Sequence, residues 1–515
     1  MSYAYQSFAY RRPAGLAAAE PRHKVIIVGA GPVGLAMAIE LALHGIIATV
    51  LDDNDVVSVG SRAICWSKRS LEILDRLGVG ERAVTKGVIW QVGRTFHRDV
   101  EVFNFDLLPE NGHKMPAFVN LQQYYVEQYL VERAIELGVD LRWKNRVTAI
   151  DQKDATAEIL VETPDGTYCL QSDWVIAADG ARSPIRHLMA LDFDGELFEE
   201  RFLIADIEMQ GDFPSERRFW FEPSFHNGQS ALLHKQPDQI YRVDLQLGWN
   251  TDPEEEKKPE NVLPRIAKVV GHTNFVLEWV SIYTFQCRRL QRFIHKSVLF
   301  IGDSAHIVSP FGARGGNGGL QDVDALGWRL AAVINGTADA AALQAYDRER
   351  CFAADENLLN SSRSTRFMSP SDGAERLFRD AVLHLASRAD FARPMVNSGR
   401  LSRPCVYPLS GPDAALPDTA KPGSVAPDAP LKSGWLSEVL GRDFVMLVLG
   451  CKAPTMTKLR LVQPEITDII RARYLGDKSS AIYLIRPDQV VAARWINANS
   501  DDILQALSDA WNGKL

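Results

Sequence analysis

Long apolar runs, paired cysteines and surplus positive charge are all missing from this 515-residue chain, and each absence closes off a class of function. No segment approaches the roughly 20 apolar residues of a membrane span. The opening "MSYAYQSFAYRRPAGLAAAEPRH" is aromatic and basic but lacks the apolar core of a signal peptide, so residues 1–23 read as a polar arm. The six cysteines (Cys65, Cys169, Cys287, Cys351, Cys405, Cys451) form no C-x-x-C, and no histidine pair has zinc spacing, so neither a disulfide framework nor a metal site is expected. A reducing cytoplasm fits that usage. With 57 Lys and Arg against 65 Asp and Glu, the net charge of −8 offers no general attraction to nucleic acid or anionic membrane. The 46% of hydrophobic residues is enough for a large core, and the length points to about two to four domains.

What the chain does have is glycine in particular places. "KVIIVGAGPVGLAMAIELALHGIIATVLDD" runs strand, glycine turn, helix, strand within about thirty residues, the length of a βαβ unit. Gly29, Gly31 and Gly34 spell G-x-G-x-x-G across its first turn. The first permits the tight turn, the second lets backbone N–H groups approach a pyrophosphate at the helix N-terminus, and the third lets helix and strand pack closely. Asp52 ends the next strand, where an acid can accept hydrogen bonds from ribose hydroxyls. A dinucleotide is expected here, FAD or a nicotinamide.

Two further stretches have the same grammar. "DWVIAADGARSPIR" ends a buried strand in Asp179-Gly180, which alone is no more than an Asp-Gly turn. "VLFIGDSAHIVSPFGARGGNGGLQDVDAL" runs from a strand at Val298–Ile301 through five glycines in Gly312–Gly319 into a helix whose Leu320, Val323, Leu326 and Leu330 keep helical spacing. Between these motifs, "RFLIADIEM", "RRFWFEP", "QSALLHK" and "QIYRVDLQLGW" are short and β-rich. The expected organisation is therefore an α/β fold with a dinucleotide-binding domain in two parts, residues 24–190 and 291–400, interrupted by a β-rich domain at 191–290. Proline and glycine crowd 401–430, a linker, and 431–515 forms a small α/β domain with a helix capped by Ser500.

Together, Gly29–Gly34, "AADGARSPIR" and "IGDSAHIVSPFGARGGNGG" resemble the class A FAD-dependent aromatic hydroxylases, the phenol hydroxylase and 3-(3-hydroxyphenyl)propionate hydroxylase branch in particular. The resemblance covers about residues 24–400, and the C-terminal region is similar to that branch's thioredoxin-like domain, here without its redox C-x-x-C. It implies a Rossmann-like FAD-binding domain, a β-rich substrate domain roofing the pocket, noncovalent FAD and NAD(P)H as electron donor. Dioxygen would be activated as the flavin 4a-hydroperoxide and one oxygen atom passed to a phenolic ring. By the same resemblance Gly302 and Asp303 meet the ribityl chain, Pro310 lines the substrate side of the flavin, and Gly315, Gly316 and Asn317 offer backbone N–H groups to its pyrimidine edge. Arg62 matches a pyrophosphate contact and Gln123 a ribityl contact, with Gln122 its rival. His306 reads as a supporting histidine, and Asp322 and Asp324 as polar helix positions.

Strand alternation in "QIYRVDLQL" sets Arg242, Asp244 and Gln246 on one face and Tyr241, Val243, Leu245 and Leu247 on the other. Arg242 is expected to hold the carboxylate of an aromatic acid, the alternative being a pairing with Asp244 or another acid on a solvated sheet face. The halogenase signature W-x-W-x-I-P is absent. A flavin-binding module without turnover, or a relative acting on a carbonyl or decarboxylating substrate, remain the other readings. Partners are a small aromatic substrate and dioxygen, with room for a homodimer.

Overall fold

The computed structural model describes residues 3–153, 155–211, 213–226, 228–247, 251–370, 373–396, 401–456 and 459–512. Along the chain come β1 (His23–Val28), α1 (Pro32–Leu43), β2 (Thr49–Leu51), the hairpin β3 (Val92–His97) and β4 (Val100–Asp106), then α2 (Gln123–Glu136), β5 (Asp140–Arg142) and β6 (Gly166–Ala177). Five strands follow, β7 (Asp194–Glu208), β8 (Arg217–Phe221), β9 (Ala231–Lys235), β10 (Ile240–Leu247) and β11 (Val276–Arg289), before β12 (Val298–Phe300), α3 (Gly315–Ile334) and α4 (Ala341–Met368). The last region holds β13 (Val445–Leu449), β14 (Arg460–Val462), β15 (Ala481–Ile485), β16 (Val491–Trp495) and α5 (Ser500–Trp511).

The first sheet sets β12, β6, β1, β2 and β5 side by side, all parallel, with Val28 level with Ala177 and Leu51, and Ala177 level with Phe300. Parallel strands covered on both faces read as continuous apolar runs, and "KVIIV" and "WVIA" do so because helices cover them. Val25, Ile26, Ile27, Val175, Ile176, Val298 and Leu299 are each at most 1% exposed. All three glycine motifs thus leave the C-terminal edges of neighbouring strands, where a doubly wound sheet binds its ligand.

The second sheet runs β11, β7, β10, β9, β8, β3, β4. Strands β3 and β4 at one edge come from residues 92–106, and at the other edge the short strand His306–Ile307 pairs with β11, so both edges come from outside the β-rich stretch at 191–290. Gly93 pairs with Arg217 in parallel across more than a hundred residues, so β3 and β4 join this sheet by a contact that local pattern does not encode. Tyr241, Val243, Leu245 and Leu247 pack into an apolar core with Val262 and Ile266, so the alternation in β10 holds.

The third sheet, β14-β13-β15-β16, carries α5 against it. Its helix is capped by Asn499, whose Oδ1 accepts from Asp502 N–H at 2.9 Å, one residue before the expected Ser500. Residues 401–430 contain little regular structure yet are packed: Ala420 and Ala429 are fully buried in the C-terminal core, and Arg350 donates to the Tyr407 hydroxyl at 2.9 Å. Residues 3–23 of the arm pack on the rest of the protein, with Phe8 stacked on Trp143 and Gly60 N–H donating to the Tyr5 hydroxyl at 2.9 Å.

Candidate active site

The three glycines of the first turn do different work. Gly29 has φ +106°, and a Cβ there would lie 2.5 Å from the Ala178 carbonyl oxygen. At Gly34 a Cβ would lie 2.0 Å from the carbonyl oxygen of Gly29, so helix and turn touch through their backbones. A Cβ on Gly31 would meet no atom within 4 Å. Gly31 caps α1, so the one glycine not demanded by protein packing stands where free helix N–H groups attract an anion. Asp52 braces the turn: its Oδ2 accepts from Ala30 N–H at 2.6 Å and its Oδ1 from Asn54 N–H at 2.8 Å, while burial pushes its pKa up.

The second and third motifs close over the same edge. Gly180 has φ +76° and Gly302 φ +62°, left-handed conformations that suit glycine. The Asp179 Oδ2 accepts from Ile185 N–H at 2.9 Å, while its Oδ1 is buried without a hydrogen bond. Gly302 N–H donates to Asp322 Oδ2 at 2.8 Å, and that same oxygen takes a 2.7 Å hydrogen bond from His306 Nε2. Arg350 Nε donates to the other oxygen at 2.6 Å. Burial pushes Asp322 up, but the charges of His306 and Arg350 outweigh it and hold the pKa at about 2. The pair puts the proton on Nε2 and keeps His306, 1% exposed, as a brace for the Gly-Asp turn. Asp322 is therefore far more than a polar helix position.

Asp303 is left with its carboxylate exposed, and no hydrogen bond to it is found among the described residues. Burial of its surroundings raises its pKa, against the pull of His306 and Arg62. A Cβ on Gly315 would lie 3.8 Å from Asp303 Oδ1, which places the start of α3 against this carboxylate. The first helical N–H groups lack intrahelical acceptors, and Gly318 is the first to bond back, to Arg314 O at 2.7 Å. The Asn317 side chain pins that helix start: Oδ1 accepts from Ser67 N–H at 2.9 Å and Nδ2 donates to Cys65 O at 2.8 Å. An open acceptor at Asp303, a buried orphan oxygen at Asp179 and two helix N-termini along one edge fit a flavin dinucleotide.

A loop at 58–63 borders this edge. The Gln123 Oε1 accepts from Ala63 N–H at 3.0 Å and its Nε2 donates to Glu127 Oε1 at 2.8 Å, while Glu127 takes Ser58 N–H at 2.6 Å. Gln122 turns instead to Pro237 O at 3.4 Å. The Arg62 side chain is exposed.

Arg242 departs from the expectation. It is 3% exposed, and its Nε and Nη2 donate to Asp206 at 2.8 and 2.7 Å. Nη1 donates to Arg62 O at 3.2 Å and Nη2 also to Ser61 O. The planar fork is consumed by Asp206, its partner directly across on β7, so Arg242 is paired with an acid other than Asp244 and is buried where a solvated face was the alternative. What Arg242 does hold is the 58–63 loop against the sheet. Below the same face a cavity is lined by Arg217, Phe219, Phe221, Phe311 and Gly312, beside the exposed Pro310. Among the described residues one trio, His97, Glu222 and Asp380, brings metal-ligating atoms within 4.8 Å, but Arg379 already bridges both carboxylates.

Residues 22–361 match the family described as FAD binding domain. The 12-dehydrotetracycline 5-monooxygenase/anhydrotetracycline 6-monooxygenase of Streptomyces rimosus subsp. rimosus is 29% identical, over 96% of this chain and 99% of its own. A 3-(3-hydroxy-phenyl)propionate/3-hydroxycinnamic acid hydroxylase of Mycolicibacterium smegmatis is 26% identical, over 94% and 92%. Among solved structures, the flavin-dependent monooxygenase PieE in complex with FAD and substrate superposes with a TM-score of 0.82 at 19% identity, covering 96% of this chain and all of that one.

Proposed function

Because the chain belongs to the FAD binding domain family and is a FAD-dependent aromatic monooxygenase, we propose that it hydroxylates a phenolic ring with NAD(P)H and dioxygen. In balance, ArH + O2 + NAD(P)H + H+ gives ArOH + H2O + NAD(P)+. Bound FAD supplies the redox chemistry, taking two electrons from the nicotinamide and activating dioxygen. The protein's part is to hold, aim and dry the site. Gly29, Gly31, Gly34 and Asp52 receive the ADP half. Arg62, Gln123, Asp179 and Gly180 shape the groove. Gly302 and Asp303 take the ribityl chain, and Gly315, Gly316 and Asn317 face the flavin's electron-rich edge. Pro310 borders the cavity under the second sheet, where the ring would sit away from bulk water. Arg242 is a positioning residue that ties the 58–63 loop to the substrate sheet.

One observation carries this reading: the exposed Asp303 carboxylate, with no hydrogen bond among the described residues, lies against the glycine-rich start of α3. The division into arm (1–23), two-part FAD domain (24–190, 291–400), substrate domain (191–290), linker (401–430) and C-terminal domain (431–515) belongs to the same proposal, with β3 and β4 lent to the substrate sheet. No helix among the described residues is long and apolar enough to cross a membrane.

The test is NAD(P)H oxidation by the purified yellow protein across phenols, hydroxybenzoates and hydroxyphenyl acids under 18O2. Substrate-stimulated oxidation with one labelled oxygen in the product is expected. Bound FAD that no phenol stimulates toward reduction, and no labelled product, would instead identify a flavin-binding module.

A further inference from the structure

Next to the consumed arginine stands one that is not. Arg217, on β8, lines the cavity; its Nε is buried without a hydrogen bond, and no ion pair to its guanidinium is found among the described residues. Arg217 and Phe219 share a face of β8 by strand alternation. Phe219 lies opposite Leu232, and Leu232 opposite Asp244, so the three strands bring Arg217 and Asp244 to the same side of the sheet. Asp244 Oδ1 is likewise buried without a hydrogen bond, and His234, opposite Arg242 and 4% exposed, has an orphan Nδ1. Folded proteins rarely leave buried polar atoms unpaired, and here three lie on one face of the sheet whose Arg217 lines the aromatic cavity. Burial pushes the Asp244 carboxyl up to about 6 despite the nearby arginines, and lowers His234 well below its usual value, so this histidine is neutral.

Resting on the hydroxylase reading, we propose that Arg217 and Asp244 select the substrate: Arg217 binds an anionic oxygen on the aromatic molecule, and Asp244 accepts a hydrogen bond from one of its hydroxyl groups. The substrate class is a hydroxylated aromatic with a carboxylate or an ionised phenol or enol. Arg217 takes the role that Asp206 denies to Arg242. Its guanidinium offers two parallel N–H groups to such an oxygen, and Phe219 and Phe221 flank the ring. His234, neutral with one nitrogen free, backs this row without adding charge.

The experiment titrates the FAD holoenzyme with 3-(3-hydroxyphenyl)propionate and its primary amide, reading perturbation of the flavin spectrum, so that binding is measured without turnover. A second arm uses 4-nitrophenol above and below its own pKa to separate phenolate from carboxylate recognition. In the wild-type protein the acid or the phenolate binds more tightly than its neutral counterpart. Arg217→Gln lowers that preference about ten- to a hundredfold, and Arg217→Lys recovers part of it. Asp244→Asn weakens the acid and the amide alike, since both keep the phenol. Equal losses for charged and neutral probes in Arg217→Gln overturn the proposal, as does a wild-type protein that binds neither anion or shows no preference for it. Binding that depends on Arg217 without hydroxylated product would keep this assignment and remove the hydroxylase reading.

Discussion

Two clusters of buried charge in this molecule differ in how their carboxylates are held. At the junction of the FAD and C-terminal domains, Glu349 accepts from Arg329 at 2.8 Å and from both Nη groups of Arg486 at 2.9 and 3.0 Å. Asp324 there takes Arg69 at 2.6 Å and Arg76, and Asp488 closes onto Arg486. Every carboxylate of that junction is engaged by arginine, although Arg76 Nε and Arg329 Nε keep no hydrogen bond, whereas on the second sheet the Asp244 Oδ1 itself goes without one, as do the neighbouring Arg217 Nε and His234 Nδ1. A paired cluster spends its hydrogen bonds on joining parts of the chain. An unpaired one holds them in reserve for a ligand and costs stability while it does so.

The sharpest way to break that contrast is at the junction. Glu349→Ala takes the 2.8 Å carboxylate partner from Arg329 and leaves Arg486 to Asp488 alone, and should cost about 3–5 kcal/mol in denaturant unfolding, because removing one partner of a buried pair leaves charge undercompensated. A loss below about 1 kcal/mol would mean the junction is solvated and the two clusters are alike.

Next in size is the flavin side. Asp303→Ala should weaken FAD by about 1.5–3 kcal/mol, or ten- to a hundredfold, in reconstitution of the apoprotein followed by flavin fluorescence. Unchanged affinity would remove Asp303 from the cofactor's contacts.

The open cluster should show the reverse sign. Asp244 has its folded pKa raised to about 6 from an ordinary 3.8, so the fold binds its proton more tightly than the unfolded chain does. Its stabilising contribution is present below pH 4 and is lost as pH rises through about 6. Asp244→Asn should therefore flatten stability between pH 4 and 6 and stabilise the protein above pH 6 by about 1–3 kcal/mol, as read by unfolding at each pH. A destabilised variant would show that the carboxylate is paired after all.

The smallest effect is expected at Cys451, a half-buried thiol without a disulfide partner. Cys451→Ser should change stability by less than about 0.5 kcal/mol and leave hydroxylation intact. A folded, FAD-loaded variant that no longer hydroxylates would reopen a redox role for its domain.

How much of this could be read beforehand follows the range of the interactions. The strand-glycine-helix turns were legible because Gly29, Gly180 and Gly302 answer to their own backbone angles, and α3 to its own periodicity. The hairpin at 92–106 was not, since its partner Arg217 is remote in sequence. Arg242 was placed on the correct face of β10, but its partner Asp206 lies on another strand, so its saturation could not be seen. Asp322 and Asp324 looked like ordinary helix polarity because the groups that give them meaning come from α4, from Lys68–Arg76 and from residues around 488. Local conformation is written locally, whereas buried polarity is written in pairs.

One helix touches both clusters' neighbourhoods. From the glycines beside Asp303, α3 runs about 20 Å to Trp328, which is packed among Phe444, Met446 and Trp511 of the C-terminal domain. A pointer is only as well aimed as its far end is held. In a surveyor's terms the C-terminal region is the back-sight for α3: it packs on the helix at Trp328, beyond the glycines of its first turn. Whatever holds Trp328 thereby holds the helix whose first turn lies against Asp303.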